Sequence, residues 1–211
     1  MIIRCIAATV VLAASSLSFS QVWTEVGDAE ELLPGQTTVG TGTLAAITGT
    51  MDLDEVDLYA IRITDSESFR ASTHNEFGTM VDTQLFLFDS SGFGVTHNDD
   101  DPDGTTLRST ITSQFLTGNG LYYLGISSLD VDPVGGILAL EIWADEPWDV
   151  ERSPDGLGAN ESLRQWAGFA DSTGTYQIDL TGAEFAAVPE PASMAVVGLG
   201  VAALLRRRKK A

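Results

Sequence analysis

The densest group of chemistry-capable side chains in the sequence is Asn98-Asp99-Asp100-Asp101-Pro102-Asp103-Gly104. Asp99, Asp101 and Asp103 stand at alternate positions before Gly104, the spacing of the first half of an EF-hand loop. There, hard oxygens wrap one Ca²⁺ and the glycine supplies a sharp turn. The glutamate that such a loop needs six residues past its glycine is replaced by Thr110, and Pro102 interrupts the loop. Both features argue against an EF-hand. Two readings stay open: a calcium turn of another kind at Asp99, Asp101 and Asp103, or a solvated acidic hairpin loop, which Asp and Asn favour by bonding side chain to backbone.

Nucleophilic catalysis has little to draw on. The two histidines, His74 and His97, lie far apart in sequence and lack the spacing of a zinc site. Between residues 21 and 188 there is no lysine, no cysteine and no G-x-S-x-G turn, which removes Ser-Lys, Cys-His and α/β-hydrolase chemistry. Carboxylates are too numerous for a glycosidase pair to be picked out, because the distance between them decides that chemistry. Trp143, Trp148 and Trp166 could each stack on a sugar ring or pack in a core. A non-enzymatic domain is expected, with no required cofactor beyond a candidate calcium ion. A calcium-dependent carbohydrate-binding module and a jelly-roll glycoside hydrolase or lyase are the alternatives.

Residues 21–188 hold 29 acidic residues against five arginines, a formal charge of −24. Such a surface repels nucleic acid and anionic lipid, leaving cations or a neutral polymer such as polysaccharide as partners. High solubility accounts for the same charge.

Period-two patterning places these residues on strands. Residues 56–63 are β-branched and aromatic between Asp-rich turns, residues 84–88 form a short apolar run, and residues 121–126 follow the turn Gly118-Asn119-Gly120. Residues 137–143 and 176–180 continue the pattern. Short strands between Gly/Asp/Asn turns predict an all-β domain, a β-sandwich or jelly roll. Its extent is read as an acidic arm and first strand over 21–43 and the sandwich over 44–187.

Both ends carry targeting chemistry. Arg4, an apolar run over 5–14 and small residues up to Ser20 make a secretory signal peptide over 1–20, with cleavage expected before Gln21. The single cysteine, Cys5, leaves with it, so the mature protein has no thiol or disulfide. At the other end, Pro189-Glu190-Pro191 precedes a 14-residue apolar stretch over 192–205 and the cations Arg206, Arg207, Arg208, Lys209 and Lys210. As a helix this stretch is about 21 Å long, thin against a bilayer core of about 30 Å. Five cations favour the cytoplasmic side of the inner membrane and leave the domain outside.

The tail, residues 188–211, resembles the PEP-CTERM sorting signal of Gram-negative bacteria in all three parts and in their order. That resemblance implies cleavage near Pro-Glu-Pro by a membrane exosortase. It also implies delivery to the cell surface or an extracellular polysaccharide matrix.

Within the domain, Asp54-x-x-Asp57-x-Tyr59, Phe69-x-Ala71-x-Thr73, Asp82-Thr83-Gln84-Leu85-Phe86-Leu87-Phe88-Asp89, Asn98-Asp99-Asp100 and Gly120-x-Tyr122-Tyr123-Leu124 follow one another. In this order they resemble the bacterial pre-peptidase C-terminal domains, over roughly residues 44–143. The resemblance implies a β-sandwich serving as an accessory or binding module. In calcium-binding relatives, acids of a leading segment and of this strand start share an ion. Asp54 and Asp57 match that pattern, with Asp28, Glu30 and Glu31 as the leading acids; capping a strand is the other role open to Asp57. No peptidase domain precedes this one, so a role as a processed appendage does not carry over.

Overall fold

The computed structural model describes residues 20–53, 56–102, 104–170 and 172–187. The signal segment before residue 20, the sorting segment 188–211 with its 192–205 span, Asp54 and Asp103 lie outside the described residues. Among the described residues no α-helix forms, and no helix is long and apolar enough to cross a membrane.

Fourteen strands follow in chain order: β1 (Gln21–Thr24), β2 (Gln36–Thr37), β3 (Leu44–Met51), β4 (Asp57–Ile63), β5 (Arg70–Ser72), β6 (Thr83–Asp89) and β7 (Gly94–Asn98). Then come β8 (Thr110–Thr112), β9 (Gly120–Ser128), β10 (Val131–Gly135), β11 (Leu140–Glu141), β12 (Leu163–Gly168), β13 (Gly174–Thr181) and β14 (Ala183–Phe185). One sheet has the order β1-β3-β13-β5-β8; the second has β14-β4-β9-β6-β7, with β2 added beside β4. A small third sheet runs β11-β10-β12. The sheets are mixed, because β1 joins β3 and β2 joins β4 in parallel while the other pairs are antiparallel. The acidic segment before residue 44 thus contributes two strands to the sheets.

The second sheet is buried on both faces, which explains why its strands read as apolar runs without polar alternation. Successive side chains point to opposite sides. Tyr59, Ile61, Ile63, Leu85, Leu87, Leu124 and Ile126 therefore pack against Ile47, Ile178 and Leu180 of the first sheet. Leu58, Ala60, Phe86, Phe88 and Tyr123 face away into a second core closed by Ile142, Trp143 and Leu163. Phe86 is its hub, stacked on His97 with centroids 4.5 Å apart and lying 5.6 Å from Trp143 and 5.3 Å from Trp166. Gly94 makes this closure possible: a Cβ there would meet Pro154 at 2.8 Å and Ile142 at 2.9 Å, with the Trp143 ring closer still.

One expected strand is corrected. Residues 137–143 are largely a turn, with only Leu140 and Glu141 paired. Gly136 and Ala139 take left-handed backbone angles, φ 66° and 50°, and reverse the chain there. Ile137 and Leu138 are left on the outside. The strand formed just before it, at β10, contains Pro133, a residue that argues against strand from sequence.

Candidate metal centres

Among the described residues, two groups of three carboxylates each bring one ligand oxygen per residue to within 4.8 Å of the others: Glu25, Asp28 and Asp57, and Asp82, Asp99 and Asp100. Neither group coincides with the alternating acids of the 99–103 segment.

The first group forms where β1 ends beside the start of β4. Parallel pairing of Trp23 with Ile47 and Thr24 with Thr48 carries Glu25 to the edge of β3. Its two oxygens are anchored there, Oε1 accepting from the Ala29 amide at 2.8 Å and Oε2 from the Thr50 amide at 3.0 Å. Asp57 is buried. The Tyr176 hydroxyl donates to Asp57 Oδ2, and the Tyr59 hydroxyl lies 2.6 Å from that of Tyr176. Burial, then the charge of Asp57, raises the Tyr59 phenol far above its ordinary value. Burial raises Tyr176 as well, so both phenols stay protonated, Tyr176 donating to the acid and Tyr59 to the Tyr176 oxygen. Tyr176 sits opposite Gly49 across the β3–β13 pair, in the space a side chain would fill: a Cβ on Gly49 would overlap the Tyr176 hydroxyl and stand 2.8 Å from Glu25 Oε2. Glu25 and Asp28 line a groove of about 650 Å³ bordered by Asp52, Thr50 and Phe77. Of the expected residues, Asp57 and Asp28 meet here, Glu30 and Glu31 are not in the group, and Asp54 lies outside the described residues. Glu25, which the sequence reading did not single out, completes the group.

The second group is a product of hairpin register. Leu85 pairs with Asn98 across β6–β7, so the chain leaving β7 passes the residues that precede Leu85, and Asp82 meets Asp99 and Asp100. Burial, then the charges of Asp100 and Asp82, pushes the Asp99 carboxyl up to about 7. Asp132 nearby is pushed up to about 6 by burial and by Asp145. Asp101 belongs to a different network: its Oδ2 accepts from the Thr110 hydroxyl at 2.9 Å and lies 3.3 Å from His74 Nδ1. Alternation along the loop thus sends Asp99 and Asp101 to different partners, and Asp103 lies outside the described residues.

The histidines and tryptophans divide by environment. His97 is sealed between Phe86 and Trp143, and burial with the Arg152 charge lowers it to about 3, so it is a neutral core ring. The Ser72 hydroxyl accepts from the His74 backbone amide at 3.1 Å and lies 2.7 Å from the Thr110 hydroxyl. Trp143 is 3 % exposed and core, and the Trp166 indole donates to the Glu31 carbonyl at 2.7 Å. Trp148 is 50 % exposed and lines a groove of about 630 Å³ with Pro147, Glu146, Asp149 and Asp100.

The last β-bridge of the described chain joins Val39 to Ala187, so the sandwich closes where the Pro-Glu-Pro tail begins. Residues 187–209 match the PEP-CTERM protein-sorting motif. This sorting signal implies processing by an exosortase, export, and transient anchoring in the membrane. No curated protein and no solved structure matches the chain. The likeness to pre-peptidase C-terminal domains therefore rests on the sequence motifs alone.

Proposed function

We propose that the protein is exported, cut by an exosortase and delivered to the cell surface or extracellular matrix, where its β-sandwich serves as a non-enzymatic binding or structural domain. The observation that carries the reading is the sorting motif directly after the last paired residue of the sandwich. A 14-residue apolar span is short for a permanent anchor, which supports removal of the tail. Intact-mass analysis of surface-extracted protein is expected to show loss of the segment beyond Val188-Pro189-Glu190-Pro191 and of the first 20 residues. Recovery of the full C-terminus from that fraction, in cells with a working exosortase, overturns the reading.

Calcium belongs to the same proposal. Glu25, Asp28 and Asp57 supply only hard oxygens, two from the segment that follows β1 and one from the start of β4, and an ion there would tie the first strand to the sandwich. Extracellular calcium modules work at about 10⁻⁴–10⁻³ M, where the ion is plentiful.

A second reading, a carbohydrate-binding module, is favoured by one observation: Trp148 is half exposed beside Asp100 in an acidic groove. Aromatic faces stack on the apolar faces of rings, and the acids accept hydroxyl protons. If this groove binds glycan, Trp148→Ala abolishes retention on a polysaccharide column while leaving the melting temperature within about a degree, as expected of an exposed position. Equal retention of parent and variant removes the groove from consideration.

A further inference from the structure

Acid clusters are common on a domain of this charge, but the second one has two features that solvated acids lack. First, Asp99 is 2 % exposed and its Oδ1 has no hydrogen-bond partner among the described residues. The ion pairs of the described residues, His74–Asp101 and Arg152–Asp155, do not reach it. A buried carboxylate oxygen with neither donor nor cation is costly, and native structures rarely leave one.

The second feature is the orientation of Gln84, whose amide can be placed two ways round. With its nitrogen toward β10 it donates to Val131 O at 3.1 Å, Ser128 O at 3.2 Å and Ser127 Oγ at 3.0 Å. The reverse placement points the amide oxygen at those two carbonyls and the nitrogen at Asp132 Oδ1, 3.4 Å away. In the reverse placement the Ser127 hydroxyl donates to the amide oxygen at 3.0 Å, but that oxygen also faces two carbonyls; only the first placement turns the two amide hydrogens toward them, and that decides for it. The Gln84 carbonyl oxygen then faces the Asp132 and Asp99 carboxyl groups. Carboxyl and amide oxygens that face one another need a proton or a cation between them.

We propose that Asp82, Asp99 and Asp100, with the Gln84 carbonyl oxygen, form a binding site for one divalent cation of the calcium class, separate from the group at Glu25, Asp28 and Asp57. Oxygens within 4.8 Å of one another fit around an ion at about 2.3–2.6 Å from each. The donor set is all hard oxygen, with no histidine or thiolate to favour a transition metal. Asp100 also borders the Trp148 groove, and its amide donates to the Trp148 carbonyl at 3.1 Å. A cation at this site therefore holds the 146–149 loop against the β6–β7 hairpin, with the Trp148 indole close enough to report on it.

The test is Tb³⁺ luminescence excited through tryptophan, displaced by Ca²⁺, on the chain purified from its producing cells, at constant ionic strength. The parent is expected to bind two ions. Asp99→Asn and, separately, Asp82→Asn should each lose one ion, or bind it at least tenfold more weakly, with loss of the part of the sensitised signal that Trp148 supplies. Asp57→Asn should lose the other ion, and with it the part of the signal that Trp23, two residues before Glu25, sensitises. If both Asp99→Asn and Asp82→Asn bind as many ions as the parent, with unchanged affinity, the site does not exist and protons neutralise the cluster. Loss of binding in Asp57→Asn alone overturns this proposal and leaves the Glu25 group intact. Loss in the Asp99 and Asp82 variants alone does the reverse.

Discussion

Phe86→Ala is expected to lower stability by about 3–5 kcal/mol, the range for removing a large aromatic from a packed core. Phe86 is fully buried among Phe88, His97, Trp143 and Trp166, on the face of the second sheet that looks away from the first. A two-layer sandwich would leave that face in water, where truncating a side chain changes stability by about half a kcal/mol or less. The size of the loss therefore decides whether the β10–β12 sheet and the 142–163 segment close a second core. At about 2–4 °C per kcal/mol for a domain of this size, thermal unfolding should fall by roughly 10 °C. A shift under about 2 °C means that the layer is not packed in solution. Ile137→Ser is the matching control, because Ile137 is 86 % exposed on the turn between β10 and β11.

The second large effect is expected at Gly49. A methyl there must displace the Tyr176 hydroxyl and crowd Glu25 Oε2. Neither group moves freely: Tyr176 donates to Asp57 and contacts Tyr59, and Glu25 is held by two backbone amides. Overpacking of this kind costs about 1–3 kcal/mol. Because Glu25 and the Tyr176 partner Asp57 belong to one metal group, Gly49→Ala should also remove that group's share of the response to calcium. At ten times its Kd, calcium stabilises the parent by RT ln(1 + [L]/Kd), about 1.4 kcal/mol. Melting curves at matched ionic strength in Na⁺, with Mg²⁺ beside Ca²⁺, separate a site from diffuse screening. Gly49→Ala melting with the parent in the absence of calcium would show that strand β3 shifts freely under Tyr176. An undiminished calcium response would show that the Glu25 group contributes none of it.

The two metal groups differ in how far their members can be found along the chain. Asp57 and Asp28 were legible as acids near a strand start and in a leading segment, but Glu25 was not. Its position depends on β1 lying parallel to β3, a pairing with no local sequence signal. In the 98–104 segment, alternation suggested Asp99, Asp101 and Asp103 as a set. The β6–β7 register instead carries Asp82 to Asp99 and Asp100, while Thr110 and His74 take Asp101. A hairpin juxtaposes residues across strands as readily as along them, and that choice is made by register.

What the sequence determined by itself is local and compositional. The matched sorting motif is a linear signal over 187–209, with its charge, apolar run and Pro-Glu-Pro in fixed order. The all-β class follows from β-branched and aromatic runs between Gly, Asp and Asn turns, and the strands around residues 57–63, 83–89, 120–128 and 174–181 were visible for that reason. Tertiary structure alone decided which apolar residues share a core. The runs at β6 and β9 could not say that alternate side chains enter two separate cores, because burial on both faces erases the alternation that marks an inside and an outside. The same holds for the tryptophans, five residues apart: Trp143 is sealed over Phe86, in space that a Cβ on Gly94 would take, and Trp148 is half exposed.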